Sequence, residues 1–257
     1  MLMCEGLEQR QLLAVAAVAS SLDSNDTLLR GNYTEVGIDN RGVLVADASA
    51  ANPGVGFHSG FGTMGGSSTN TLFGYISTTP ADNWANYGSD VLSPGAPESG
   101  FSVAIGGTIY SNNKNGSLQE VPGVIVSRSA SSGVARAEWQ GGVPNVFSMT
   151  RIFTILENKV GVQIDTSITN LTAAPVDIYM MDNFDPESSN TTSTTNTIES
   201  QGASGAGVRA TGQGTDFRVA SNSTGARAYF GGFSNRNPID VYNGTGGGGD
   251  ATLSQGS

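Results

Sequence analysis

The chain has 257 residues, of which 37% are hydrophobic and 13% are charged, and it contains 36 glycines. This hydrophobic share can form a core, so the composition excludes a disordered chain and favours short strands joined by turns. Its 22 acidic residues outnumber 12 basic ones, which gives a net charge of −10 and excludes a basic nucleic-acid-binding surface.

The first predicted element is the apolar run QLLAVAAVASS at residues 11–21. It is too short to span a bilayer, but it matches the hydrophobic part of an export signal, with a small-x-small cleavage site at 17–19. A short amphipathic helix packed on the domain explains the same residues. Residues 1–22 are therefore expected to be an export-signal-like or helical leader.

The segment LEQRQLLA at residues 7–14 resembles a Leu-Glu-Pro/Gln-Arg-x-Leu-Leu motif near the start of many large exported proteins of planctomycete-type bacteria. The basic stretch that usually precedes the motif is missing here. The resemblance implies a secreted or cell-surface protein whose partners are other domains of a larger exported protein or cell-surface components.

Two loops contain the residues that bear on possible catalysis and on possible sugar binding. A catalytic triad would have to use the single histidine, His58, which lies in the glycine-rich GVGFHSGFGTMGG without a G-x-S-x-G elbow. Because Cys4 is the only cysteine, the chain has no internal disulfide.

The loop DNWANYG at 82–88 carries Trp84 and Tyr87, which with Trp139 are candidates for stacking on a sugar ring. The alternative is that such rings fold back over the core.

From residue 30 onward the chain reads as short strands separated by Gly, Pro and Asn turns, with no long helix. This pattern predicts a mostly antiparallel, all-β sandwich as a single large domain over residues 23–245. The predicted strands, apart from one hairpin, are 33–38, 42–46, 72–77, 101–110, 123–128, 134–140, 176–181, 216–220 and 226–233.

The hairpin is predicted from FSMTRIFTIL and GVQIDTSITN, residues 147–156 and 161–170. Alternation places Arg151 on the apolar face of the first strand, and Val160 with Ile164 on the apolar face of the second. A tight turn is expected at Glu157 and Asn158, since Asn tolerates positive φ.

The run YMMDNFDPESSNTT at 179–192 ends a predicted strand in a group of oxygen ligands. Asp182, Asn183, Asp185 and Glu187 offer the carboxylate and amide oxygens that Ca²⁺ prefers, although the spacing is not that of an EF-hand. The alternative is that the two aspartates cap turn amides and that Glu187 is solvated.

Residues 150–187, followed by GGFSNRNP at 231–238, are similar to a module of large bacterial surface and secreted proteins and to sugar-mutarotase-like supersandwiches. The resemblance implies the fold but not mutarotase catalysis, because the only histidine lies in the other half of the chain. The alternative is a carbohydrate-active domain, in which two catalytic carboxylates would face each other across a cleft. The candidates are Asp165, Glu138, Asp182 and Asp185.

Three segments are low in complexity. They include residues 47–70. Residues 188–207 are expected to be a long surface loop, and residues 246–257 a flexible glycine-rich tail beyond which the native protein continues. The sequence as a whole predicts a non-catalytic structural or adhesive module of a secreted or cell-surface bacterial protein, stabilised by Ca²⁺. The alternatives are a carbohydrate-binding or carbohydrate-active domain and a self-assembling extracellular appendage subunit that pairs at an open sheet edge.

Overall fold

The computed structural model describes residues 15–20, 24–44, 73–75, 98–113, 119–185, 195–212, 215–230 and 237–243. Of these residues 63% lie in strands and 4% in a helix, which confirms the all-β prediction. The strands are β1 (Ala16–Ala19), β2 (Thr27–Arg30), β3 (Thr34–Ile38), β4 (Phe73–Tyr75), β5 (Glu98–Ile105), β6 (Thr108–Asn113), β7 (Gly123–Ser131), β8 (Val134–Val143), β9 (Phe147–Leu156), β10 (Gln163–Asn170), β11 (Ile178–Asp185), β12 (Thr195–Gly202), β13 (Gly205–Gly212) and β14 (Thr215–Ser221); the helix is α1 (Pro238–Asn243).

The described strands form four antiparallel sheets, in the orders β1-β2-β3-β4, β10-β9-β8-β7, β11-β5-β6 and β12-β13-β14. Most neighbours within a sheet are consecutive in the chain and are joined by short turns. The exception is β11, which returns to pair with β5 and so connects the second half of the chain to the first. This arrangement agrees with a β-sandwich-like architecture.

The predicted hairpin is present as β9 and β10, and it is continued by β8 and β7 in one four-stranded sheet. Buried and exposed side chains alternate along β9 as predicted. Arg151, Phe153 and Ile155 are buried, while their neighbours are partly or fully exposed. The predicted turn at Glu157 and Asn158 is present, because the amide of Lys159 donates to the carbonyl of Leu156 at 3.1 Å. The connection is longer than predicted, since it runs on to Val162, and the positive φ lies at Gly161 and not at Asn158.

One buried cluster draws on all four sheets. Leu29 and Val36 come from the first sheet, and Phe217 from the last. The inner faces of β8–β9 and β5 supply most of the rest: Ala135, Ala137, Trp139, Phe147, Met149, Phe153, Ile155, Phe101, Val103 and Ile105. Burial of this much apolar surface is the main favourable term in folding, at roughly 25 cal/mol per Å².

Several element predictions are wrong for physical reasons. The apolar run at the N-terminus is a strand over Ala16–Ala19 where it is described, not a helix, because β2 offers it a pairing edge. Residues 101–110 are not one strand, since Gly106 and Gly107 both have positive φ and turn the chain between β5 and β6. The expected loop at 188–207 contains β12, and no strand is formed over 226–230.

The helix α1 lies near the β5–β6 turn and the start of β11, and its Val241 is buried. In the part of the chain that the structure describes, no helix has the length and hydropathy needed to cross a membrane.

Candidate functional site

The acidic stretch does not begin as a turn. β11 continues through Asp182, Asn183 and Phe184 and ends at Asp185, with Asp182 opposite Phe101 of β5. The prediction that the strand stops at residue 181 is therefore wrong. Glu187 lies outside the described residues, and of Asp185 only its position at the end of β11 is described.

Because β11 is extended, Asp182 and Asn183 point to opposite faces of the sheet. Asp182 faces inward with Met180 and Phe184, which pack against the core. A single ion cannot be held by these two consecutive side chains within one strand. Among the described residues, no three His, Cys, Asp or Glu side chains come together as metal ligands. Calcium binding by the stretch stays a prediction.

Asp182 is held by a buried arginine on the facing sheet. Its Oδ1 accepts a hydrogen bond of 2.6 Å from Nη2 of Arg151, a residue of β9 that is 2% exposed. The guanidinium also stacks over the ring of Phe101, with its Cζ 4.6 Å from the ring centroid, and lies 5.6 Å from that of Phe153. A cation over an aromatic face is attracted by the ring's negative surface.

The ion pair joins two sheets, because Arg151 belongs to β9 and Asp182 to β11. Two further nitrogens of Arg151, Nε and Nη1, are buried without a hydrogen-bond partner among the described residues, as is Oγ1 of Thr166, the residue directly opposite on β10. Alternation in the sequence placed Arg151 on the buried face, but it gave no signal that Asp182 would be its counterion.

Trp139 is a core residue, and its assignment as a sugar-stacking aromatic is wrong. The side chain is fully buried and its Nε1 donates to the carbonyl of Asn40 at 2.9 Å. Phe101 meets it edge to face at 5.8 Å between ring centroids. The other two candidates, Trp84 and Tyr87, lie outside the described residues and stay predictions.

The carboxylates considered for glycoside hydrolysis lie on different faces. Glu138 and Asp165 point outward from the β7–β10 sheet in one row, with Ile152 of β9 between them. Glu138 accepts hydrogen bonds from Arg136 and Gln140, and Asp165 from Gln163. Asp182 faces inward instead. The structure therefore does not bring Asp182 together with Glu138 or Asp165.

The outward side of the β7–β10 sheet, called here the outer face, is rich in hydroxyl and amide groups. Directly opposite residues of antiparallel strands share a face, so the pairing identifies its members. The polar members are Ser127, Ser129, Ser131, Arg136, Glu138, Gln140, Ser148, Thr150, Thr154, Gln163, Asp165, Ser167 and Thr169. These side chains are partly or fully exposed. They form a regular grid, with about 4.8 Å between strands and about 6.8 Å between alternate residues along a strand.

A concave feature lies between α1, the start of β11 and the β5–β6 turn. It is a cleft of about 290 Å³. Tyr179 lines it and meets Tyr242 edge to face at 5.3 Å, while the guanidinium of Arg227 lies 4.6 Å from the centroid of the Tyr242 ring. Sequence reasoning did not predict this cluster, since its members come from three separated segments.

The fold and these features define an antiparallel all-β protein with a buried Arg–Asp pair between its sheets and an exposed polar sheet face. Comparison with known proteins adds no family to this description, because no family model, curated protein or solved structure matches the chain.

Proposed function

We propose that the chain is a non-catalytic structural or adhesive module of a secreted or cell-surface bacterial protein, and that it adheres through the outer face. The observation that carries the proposal is the composition of that face, where hydroxyl, amide and charged side chains on four adjacent strands outnumber the apolar ones, which are Val124, Val134, Ile152 and Leu156.

An extended grid of donors and acceptors matches a repetitive partner better than a single small molecule. Small ligands are bound in concave, mostly apolar sites. A polymer that repeats hydroxyl groups along an extended chain, such as an insoluble polysaccharide, can form many equivalent hydrogen bonds with such a grid. Each bond contributes little net energy, and the number of simultaneous contacts supplies the affinity.

The charged members of the outer face already have hydrogen-bond partners on the same face. Arg136 bonds to Glu138, which also accepts from Gln140, and Asp165 accepts from Gln163. The hydroxyls of Thr150 and Thr154 on the central strand β9 are therefore the groups expected to contact a neutral polymer. Thr150 and Thr154 are therefore the residues to substitute in a test of binding.

The test is co-sedimentation of the purified chain with insoluble polysaccharides, using cellulose, chitin and peptidoglycan as separate probes. Thr150→Val with Thr154→Val removes two hydroxyls while keeping the side-chain shape and strand preference. The double variant is expected to bind at least about fivefold more weakly, given about 0.5–1.5 kcal/mol for each lost hydrogen bond.

The matched control is Thr197→Val, an exposed threonine of β12 away from the outer face, which should bind like the wild type. Wild-type protein that sediments with none of the probes, or a double variant that binds as well as the wild type, would overturn the proposal.

A further inference from the structure

The outermost strand of the β7–β10 sheet on one side, β10, is a regular edge. In the described part of the chain it pairs with β9 alone, over eight consecutive residues without a register shift. It contains no proline, lysine or arginine, and Asp165 is its single charged residue. Proteins usually protect such edges with bulges, proline or positive charge, because an edge strand is a template for another strand.

The opposite edge of the same sheet, β7, is protected in this way. Its register shifts between Ile125 and Ser127, which marks a bulge. Arg128 on this strand donates to Oγ1 of Thr27 and to the carbonyl of Ser24, so the 24–27 segment lies against the strand. Of the two edges of this sheet, β10 is therefore the one that the described residues leave without such protection.

The apolar side of β10 is only half covered. Ile164 and Ile168 pack against the core cluster but are partly exposed, and Thr166 lies between them. Exposed hydrophobic side chains stand just beyond each end of the strand, Val160 at 49% and Leu171 at 48%. A neighbouring strand that carries apolar residues on the same face would bury more of this surface.

We propose that β10 pairs in antiparallel fashion with β10 of a second copy of the chain, around a two-fold axis that passes through Thr166. In this register Ile164 lies opposite Ile168 of the second copy. Asp165 then lies opposite Ser167, and Gln163 lies opposite Thr169. The strand is therefore complementary to itself on both faces, as a two-fold interface requires.

Other registers match less well. A shift by one residue would place inner side chains against outer ones, which sheet geometry excludes. Centring the axis on Asp165 puts two carboxylates directly opposite each other. Centring it on Ser167 leaves Ile168 opposite Thr166 and loses both isoleucine pairs. This inference needs no ligand on the outer face and so does not depend on the proposed function.

The experiment is sedimentation equilibrium of the full chain over a range of concentrations. Wild type is expected to dimerise, and more strongly at higher salt, because each copy carries a net charge of −10. Ser167→Asp creates two Asp–Asp pairs across the axis and is expected to weaken dimerisation about tenfold, from the cost of like charges directly opposite each other.

Asp165→Lys combined with Ser167→Asp replaces the repulsion by two Lys–Asp pairs and should restore dimerisation to wild-type strength or better. Both side chains are exposed, so neither change disturbs the monomer core. As a measurement that needs no variant, hydrogen exchange should show amides of residues 163–169 becoming more protected as the wild-type concentration rises. A monomer at every concentration, exchange independent of concentration, or a dimer indifferent to Ser167→Asp would overturn the proposal.

Discussion

At the scale of single residues, the main feature is a charge placed inside the core. Arg151 stands on a strand face that is otherwise apolar, and its charge is compensated by Asp182, whose side chain is 28% exposed, and by the face of Phe101. Removing two charges from water is costly, and an apolar pair of similar volume is often as stable. The pair therefore matters more for orienting the sheets than for the net free energy of folding.

If so, the losses in the free energy of unfolding caused by removing the two charges should not be additive. Asp182→Ala leaves the buried guanidinium without its counterion and should lower the free energy of unfolding by roughly 2–3 kcal/mol, below the 3–5 kcal/mol of a fully buried pair because Asp182 is partly exposed. Arg151→Met combined with Asp182→Ala removes both charges and should be at least as stable as Asp182→Ala alone. Urea unfolding of the wild type, Asp182→Ala, Arg151→Met and the double variant measures this. A double variant whose loss equals the sum of the two single losses would contradict it.

At the scale of elements, Trp139 shows how three segments enclose one ring. Gly42 in the turn after β3, Gly123 at the start of β7 and Gly141 in β8 all approach the indole so closely that a Cβ on any of them would overlap ring atoms. The backbone of each segment packs directly against the ring, which no side chain would permit.

Gly123→Ala is therefore expected to destabilise the protein by about 1–3 kcal/mol through overpacking. The matched control is Gly202→Ala at the end of β12, where a Cβ would meet nothing within 4 Å. That variant should be unchanged, or up to about 1 kcal/mol more stable because the unfolded chain is restricted. The comparison is made by thermal or urea unfolding. Equal stability of the two alanine variants would show that Trp139 is loosely packed.

The elements also show what sequence can predict and why. The β9–β10 hairpin was predicted with its faces because Phe, Ile and Met alternate with polar residues, which is a direct consequence of strand geometry. Most of the β12–β13 hairpin falls in residues 188–207, for which the sequence predicts a loop, because Thr, Ser and Gly dominate it and Ile198 and Val208 are its only large apolar residues. Local composition was a poor guide there because pairing between strands determines the structure.

The candidate site was less predictable than the fold. Alternation in β9 placed Arg151 on the buried face, but its partner Asp182 lies on a strand paired in a different sheet. The sequence does not predict the burial of Trp139, because nothing in it links Gly42, Gly123 and Gly141 to one ring. Both features depend on tertiary contacts between distant segments, which a local pattern cannot encode.

At the scale of the whole molecule, the excess of acidic residues sets how stability responds to acid. With a net charge of −10 at pH 7, repulsion among carboxylates decreases as pH falls toward the sequence pI of about 4.4. Local ion pairs have the opposite effect on stability as pH falls, because protonation of a paired carboxylate removes its attraction to the cation. The ion pair between Arg209 on β13 and Asp216 on β14 allows this second effect to be measured apart from the first.

Asp216 accepts hydrogen bonds from Nε and Nη2 of Arg209 at 2.7 and 2.5 Å, and these bonds hold the pKa of the Asp216 carboxyl below its ordinary value. A carboxyl with a lowered folded-state pKa stabilises the protein above its unfolded pKa of about 3.9, and this contribution is lost as pH falls through the lower folded value.

The substitution Asp216→Asn keeps the shape of the side chain without its charge. The wild type should therefore be the more stable protein at pH 6, and the difference should shrink below about pH 4. The measurement is the melting temperature of both proteins from pH 7 to pH 2, and a difference that stays constant through the acid range would contradict the assignment. The shrinking difference therefore reports the interactions of the Asp216 carboxylate, chiefly with Arg209 and also with Arg218.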